Sequence, residues 1–393
     1  MKILLFSLED INNAGDELLR VTTQFIISMD FPTTSMTQIQ LKPKFRHIPV
    51  KFKLEYFIGN IVKCISLKMK GDMEYRFRNW AYKIQYYRYF SSVIAKADKI
   101  ILPVGMLKYS TQHFSYIFHL INKLATKHGK SVMMSAMSIE KPNIGDWRFR
   151  QLRDAVNFPS CKIITSRDGI LGVEILENAY IVPKSSGNRI ILDYVGDPAL
   201  WVADCFNIKK NLESKLVGIN LIRTGIYRDY GNNVSSDDLY NLYKEVVTYL
   251  LAHGYEFRLF CNGIAADYEV GVRLVHDLSL PPDILLPPPS SGRELVEIIA
   301  GFSSVFAARL HACIISVALN VPVAGLLWDN KLLYFSRTMG IEPFFSSERD
   351  LKADLIINKL ERAMLHHLDI QNRDMYKQRF RSYIDKFLNE EVK

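Results

Sequence analysis

The sequence predicts an α/β protein built from two doubly wound halves. Three observations carry this. Short apolar runs without polar alternation recur along the 393 residues, and such runs belong to parallel strands covered on both faces. Helical stretches separate most of them, the alternation that builds parallel sheets. The rhythm runs twice, with a polar-rich stretch at 204–211 between the two series, and 393 residues exceed what one core comfortably fills. The expected domains are residues 1–207 and 208–393.

The N-terminal series opens with the strand-like run Ile3–Leu8, a polar loop Asn12-Asn13-Ala14-Gly15-Asp16 and a helix from Glu17. Further strand candidates are Lys99–Pro103, Ser131–Ala136, Lys162–Thr165 and Tyr180–Val182, with helices at Phe114–Lys127 and Phe149–Val156. The second series reads more clearly. It offers a strand Leu216–Ile222, a helix Ser236–His253 behind a Ser/Asp cap cluster, a strand Phe257–Cys261 and a helix Ala266–Leu278. Ile284–Leu286 is a strand candidate ended by three prolines, and Ser291-Gly292-Arg293-Glu294 has capping-box spacing for a helix through Ala300. A strand Ser304–Ala307, a helix from Leu310 and a strand Val323–Leu327 complete the second doubly wound unit. Two helices, near Leu351–His366 and Asn372–Leu388, close the chain. His311–Trp328 is apolar enough to suggest a membrane span, but Asn320 and Pro322 divide it into a buried helix, a turn and a buried strand.

Composition narrows the function. Hydrophobic residues make up 48% and charged residues 23%, which excludes a disordered chain. Five scattered cysteines without a C-x-x-C or Cys/His cluster support neither a zinc site nor a disulfide framework, and no metal is expected. Glu9 and Asp10 interrupt the first apolar run too early for a signal peptide, so a soluble cytoplasmic chain is expected. The net charge of +9 points to anionic partners. It is local: residues 40–99 hold fourteen Lys and Arg against four Asp and Glu, with twelve aromatics interleaved. Such a segment either docks on an anionic membrane surface, through residues such as Arg76, Arg78, Lys83 and Arg88, or is a solvated basic face over ordinary core aromatics.

Ala308-Arg309-Leu310-His311 directly follows the strand Ser304–Ala307. Ligands of doubly wound sheets bind beyond the carboxyl ends of strands, where helix N-termini present N–H groups. Arg309 offers a planar fork for carboxylate or phosphate, and His311 can hydrogen-bond the same anion and exchange a proton near neutral pH. The plainer alternative is a structural His at a helix start beside a surface Arg. Arg223 occupies the corresponding end of Leu216–Ile222, either as a second anion ligand or as a solvated loop arginine. Lys331 follows a third strand end and reads by itself as a surface lysine. Ser291, with Ser290 and Gly292, either presents N–H groups to a phosphate or simply caps a helix. Asn13, Gly15, Asp16 and Glu17 follow the first strand. Gly15 allows a tight turn, and Asp16 either activates a sugar hydroxyl or serves as an N-cap. The chain has no G-x-G-x-x-G, P-loop or G-x-S-x-G, so dinucleotide, Walker-type and α/β-hydrolase readings have no motif.

Asn13-x-Gly15-Asp16-Glu17 after the first strand and Arg309-Leu310-His311 late in the chain together resemble the polysaccharide pyruvyl transferase family. Asp197-Pro198-Ala199, Gly218-Ile219-Asn220 with Arg223, and Val321-Pro322 followed by Lys331 extend the similarity over residues 10–340. Arg167-Asp168-Gly169-Ile170-Leu171 departs from it, since Leu171 stands where the family often has serine, and Ser7-Leu8-Glu9-Asp10 replaces the first glycine-rich turn. The resemblance implies a GT-B-like fold, two Rossmann-like domains facing a cleft, and transfer of pyruvate from phosphoenolpyruvate to a sugar as a cyclic ketal. It implies no nucleotide and no cofactor. Arg223, Arg309 and His311 would hold the donor with Lys331 and Ser291; Asn13, Gly15, Asp16 and Glu17 would face the acceptor, lipid-linked sugars of the inner membrane face being the expected class. Two rival readings are a GT-B glycosyltransferase using a nucleotide sugar and a non-catalytic glycan-binding assembly protein. No nucleic-acid partner is expected.

Overall fold

The computed structural model describes residues 1–8, 13–66, 69, 71–110, 114–183, 190–366 and 368–389. The chain packs as two compact units. One comprises Met1–Glu9, Thr23–Val195 and Arg381–Lys393, the other Asp10–Thr22 and Gly196–Phe380. The main division thus falls at Val195/Gly196, ahead of the expected 207/208. Asp197 accepts from the Ala199 N–H at 2.8 Å and starts a helical turn at Pro198–Trp201 whose four residues are buried. The second core therefore begins before the polar stretch does.

The first unit holds a parallel sheet. Its strands are β1 (Lys2–Ser7), β2 (Ser35–Gln40), β3 (Lys99–Leu102), β4 (Met106–Leu107), β5 (Ser131–Ile139), β6 (Cys161–Ser166) and β7 (Ile191–Tyr194). They run in the order β2-β1-β3-β5-β6-β7, with β4 on β5. Ile3–Phe6 and Val132–Met137 are wholly buried, as continuous apolar strands of a covered sheet must be. Three strands escaped the sequence pattern, one of them β4, only two residues long. β2 reads SMTQIQ because it is an edge with only Ile39 buried. β7 takes the place expected for Tyr180–Val182, which is no strand. Tyr180 instead ends a helical turn, its ring buried and its hydroxyl donating to the Glu140 carbonyl at 2.8 Å.

Helix α1 (Ala14–Asp30) begins in the second unit and ends in the first. The basic aromatic segment forms a hairpin of α2 (Lys53–Ser66) and α3 (Gly71–Ile94). The two approach closely at Gly59, where a Cβ would stand 2.1 Å from Gln85 Cγ and 2.8 Å from the Ala81 carbonyl. Tyr82, Tyr86, Tyr89 and Phe90 lie in the core, Tyr86 stacked on Phe90 at 5.4 Å. These aromatics are therefore ordinary core. Two further helices, α4 (Phe114–Lys127) and α5 (Trp147–Val156), cover the sheet as expected.

The second unit repeats the architecture with β8 (Val217–Asn220), β9 (Phe257–Phe260), β10 (Ser304–Ala307), β11 (Val323–Leu326) and β12 (Phe345–Ser346), all parallel, in the order β12-β11-β10-β8-β9. The expected strand Ile284–Leu286 contributes one bridge, Leu285 to Leu259. Prolines on both sides, at 281–282 and 287–289, keep it from extending. Counting that bridge, the order is the 3-2-1-4-5-6 of dinucleotide-binding sheets, and its winding reverses between β8 and β10. The apolar stretch from His311 resolves as a buried helix Leu310–Ala318 followed by β11. No helix among the described residues is long and apolar enough to cross a membrane.

The α2–α3 approach supplies a direct test. Gly59→Val should cost about 1–3 kcal/mol by overpacking, read as a lower unfolding temperature. An unchanged temperature would show that the hairpin does not close as described.

Candidate functional site

All of the predicted site residues lie in the second unit, including Asn13, Gly15, Asp16 and Glu17. The centre is the reversal point between β8 and β10. Asn220 ends β8 fully buried. Its Oδ1 accepts the Arg309 N–H at 3.0 Å and the Ala308 N–H at 3.4 Å, while its Nδ2 donates to Asn262 Oδ1 at 3.0 Å. One amide thereby ties together the segments leaving β8, β9 and β10. Arg309 is the N-cap of the helix Leu310–Ala318 and gives it no side-chain cap bond, and His311 sits in the first turn, 8% exposed.

The Arg309 guanidinium is not an open fork. Its Nε and Nη2 donate to the two carboxylate oxygens of Asp267 at 2.8 and 2.7 Å. Asp267 is wholly buried in the first turn of the helix Ala265–Asp277, and its Oδ1 also accepts the Arg223 N–H at 2.8 Å. A buried carboxylate needs such partners. Of the five guanidinium N–H groups two are engaged by Asp267, so the Nη1 side is the part left to meet a ligand, in an orientation fixed by the pair. Asp267 and Asn262 were not singled out from sequence. Each follows a strand end, but their partners lie 42 residues away in the chain, and spacing within one element carries no trace of that.

Arg223 emerges from the same place with its guanidinium paired to Asp229, and it is 37% exposed. Lys331 lies further along. Its Nζ is 3.2 Å from Asp329 and 4.8 Å from the Trp328 ring centre. Trp328 is itself anchored, its indole N–H donating to the Ala308 carbonyl at 2.6 Å. The tryptophan thus connects Lys331 to the Arg309 turn.

The start of α1 packs onto this centre. The Ala14 N–H donates to the Asn262 carbonyl at 3.0 Å, and Asn13 Oδ1 accepts the Gly15 N–H at 3.2 Å. A Cβ on Gly15 would stand 2.3 Å from His311 Nδ1. Only glycine admits the imidazole there, so its use is a close approach rather than the tight turn expected. Asp16, half-buried, follows in the same helical turn. Glu17 is already employed: its Oε2 accepts the Gly292 N–H at 2.7 Å, at the start of the helix Gly292–Ala300. Ser291 is the N-cap of that helix, accepting the Glu294 N–H at 3.2 Å. The expected capping box is incomplete. The Glu294 carboxylate turns to the Ser290 hydroxyl and N–H, which hold it below the usual carboxylate range. Glu17 and Ser291 therefore build the helix start.

In the first unit, Asp168 is buried and accepts from the Ile139 N–H at 2.7 Å and the Ser138 hydroxyl at 3.0 Å. Leu171, at the position where serine was expected, is exposed. Cys261, beside the Asp267 segment, has its thiol pushed up by burial and then by the Asp267 charge. That is opposite to the shift that activates a cysteine nucleophile.

Arg309 thus serves stability as well as any ligand. Arg309→Ala leaves the Asp267 carboxylate buried and unpaired, an expected loss of about 3 kcal/mol, roughly 6–12 °C in unfolding temperature for a unit of this size. Replacing Asp267 by Ala as well should recover part of it, because the orphaned charge is gone. Calorimetry on the single and double variants decides; a single variant as stable as the parent would refute the pairing.

Among curated proteins, none matches this chain. Among solved structures, it is similar to a UDP-GlcNAc 2-epimerase from Neisseria meningitidis bound to UDP-GlcNAc, at 10% identity over 99% of this chain and 100% of that one, with a TM-score of 0.60. A UDP-GlcNAc 2-epimerase from Methanocaldococcus jannaschii gives 11% identity, 99% and 100% coverage and 0.59. An α,α-trehalose 6-phosphate synthase from Burkholderia multivorans gives 10%, 98% and 97%, and 0.57. At such identities the likeness is one of fold, and the fold is GT-B-like. The model of the polysaccharide pyruvyl transferase family matches residues 13–330, from Asn13 through the Arg309 turn to the residue before Lys331. That span is most of the chain, and this protein belongs to the polysaccharide pyruvyl transferase family.

Proposed function

We propose that the protein transfers pyruvate from phosphoenolpyruvate onto two hydroxyls of one sugar, forming a cyclic ketal on a bacterial cell-surface polysaccharide, exopolysaccharide or capsule, or on its lipid-linked precursor. The observation that carries this reading is the Arg309 guanidinium, oriented by buried Asp267 at the reversal point of the sheet, with His311 two residues on and Arg223 leaving the neighbouring strand. Phosphoenolpyruvate is a small anion with a carboxylate and a phosphate. Two arginines and the uncapped first turn of Leu310–Ala318 match its charge, since a helix N-terminus favours anions.

The chemistry distributes as follows. Arg309 and Arg223 hold the carboxylate and phosphate, with Lys331 adding positive charge. One sugar hydroxyl attacks the enol carbon that bears the phosphate while the neighbouring methylene carbon takes a proton. The carbon–oxygen bond to phosphate breaks, and the second hydroxyl closes the ring. Of the two hydroxyl protons lost, one balances the new methyl group and the other leaves on phosphate. His311, held against Gly15, is the group for proton transfer to the methylene carbon or the departing phosphate. Asp16, one residue beyond Gly15, is the group that accepts a hydroxyl proton from the sugar. No step needs a cofactor. A lipid-linked acceptor would put the reaction at the cytoplasmic face of the inner membrane.

Purified protein with phosphoenolpyruvate and candidate lipid-linked glycans should release phosphate and yield a product heavier by pyruvate less water, read by mass spectrometry. Arg223→Ala should lower kcat/KM for phosphoenolpyruvate about ten- to a hundredfold, the worth of one charged hydrogen bond, with little change in unfolding temperature. His311→Ala should lower kcat more than it raises KM, and Gly15→Ala should do the same by displacing the imidazole. Turnover of a nucleotide sugar without consumption of phosphoenolpyruvate would replace this reading with glycosyl transfer. Glycan binding without turnover of either would replace it with an assembly role.

A further inference from the structure

Helix α2 covers a side made of small residues and leaves its larger apolar row exposed. Gly59, Val62 and Ser66 are buried towards α3. At 100° per residue, Leu54, Phe57, Ile61 and Ile65 fall on the opposite side, with Ile58 beside them and Val50 in the preceding turn. All six are exposed, from 42% at Ile58 to 81% at Val50. The stripe runs roughly 16 Å along the helix at its 1.5 Å rise per residue. A continuous exposed aliphatic row of this kind marks a surface made to be covered.

The surroundings say by what. Lys44, Arg46 and Lys51 are exposed just before α2, and Lys53 and Lys63 are half-buried on it. The Lys53 Nζ lies 4.9 Å from the Phe45 ring centre and the Lys51 Nζ 5.0 Å from that of Phe52, so these stems run over apolar surface with their charges at its margin. The acid on α2, Glu55, is paired with Arg88 of α3. The row offers a partner no hydrogen-bonding side chain, and its margin is positive. A second copy meeting it face to face would set these cations against themselves. An anionic bilayer satisfies both features, taking up the aliphatic row below its headgroups and the lysines among them.

We propose that the outward face of α2 inserts in the plane of an anionic lipid surface, with Leu54, Phe57, Ile61 and Ile65 as the inserted side chains and Lys51 and Lys53 as the headgroup contacts. This centres the docking role on α2; on α3, Arg78 is paired with Glu74, Arg88 with Glu55, and Arg76 lies over the Trp147 ring, while Lys83 is exposed. The inference stands on the first unit alone and does not depend on the reaction proposed above.

The test is flotation of the full chain with vesicles of phosphatidylcholine, with and without phosphatidylglycerol. Wild type should float with the anionic vesicles, and raised salt should remove only part of the binding, because burial of aliphatic side chains is not screened. L54Q/F57Q/I61Q should bind about tenfold less or weaker still while keeping its unfolding temperature and its turnover of phosphoenolpyruvate on a soluble acceptor. K51E/K53E should lose the preference for anionic lipid. In a Phe57→Trp variant, brominated lipid should quench the added indole fluorescence. Equal flotation of wild type and the triple glutamine variant would overturn the proposal. So would a wild-type dimer that ignores vesicles and becomes monomeric in that variant. Absence of pyruvyl transfer would leave lipid binding untouched, and the reverse also holds.

Discussion

A carboxylate removed from water has to be paired, and Asp267 is paired by Arg309. Much of the arrangement at the strand ends of the second unit follows from that constraint. The pair fixes which edge of the guanidinium faces the protein, and the same carboxylate holds the Arg223 backbone, so segments leaving two non-adjacent stretches of sequence share one anchor. Asn220 and Asn262 perform the equivalent task with neutral amides. In a Rossmann-like sheet the reversal of winding leaves strand ends without a covering helix directly above them, and here that opening is braced by polar side chains rather than filled by apolar ones. Such a brace is rigid in orientation while leaving donors at its outer side, which is what a small anion requires.

The start of α1 matters for the same reason. Although it follows the first strand of the first unit, residues 13–17 pack on the second, through Ala14 to Asn262, Glu17 to Gly292 and Gly15 against His311. Asp16 thereby belongs to the unit that carries the arginines. The glycine is required by contact with the imidazole and not by a left-handed backbone, a distinction of physical consequence: alanine would fit the helix at that point and still be excluded by His311.

Most strands of the second half were legible because parallel buried strands are short, apolar and separated by capped helices. Ser304–Ala307 and the helix from Leu310 were legible to the residue. Edge strands were not. β2 is polar because only one of its residues is buried, and β12, two residues long, is too short to have a pattern. The site divides along the same line. Arg223, Arg309 and His311 could be named because their position after a strand is a local property. Asp267 could not, since its meaning lies in a partner across the sheet. Glu17 and Ser291 show the other side: both have partners at a helix start, the alternative that the sequence had left open for Ser291.

Helix α2 presents the same question in apolar form. Its sequence places the larger apolar row on one side and only Gly59, Val62 and Ser66 on the covered side, so the pattern by itself would bury the row that stays exposed. The hairpin decides which face is used, since the close approach at Gly59 commits that side to α3 and turns Leu54, Phe57, Ile61 and Ile65 away from it. Covering the second face with more protein would need another layer, and the first unit's core is already closed by the tyrosines of α3. Exposed aliphatic surface ringed by lysine persists in such a place only at a cost in solubility. A basic margin offsets that cost in water and, at an anionic surface, becomes the attraction itself. Charge and apolarity in this segment therefore act together, and neither explains the other's position alone.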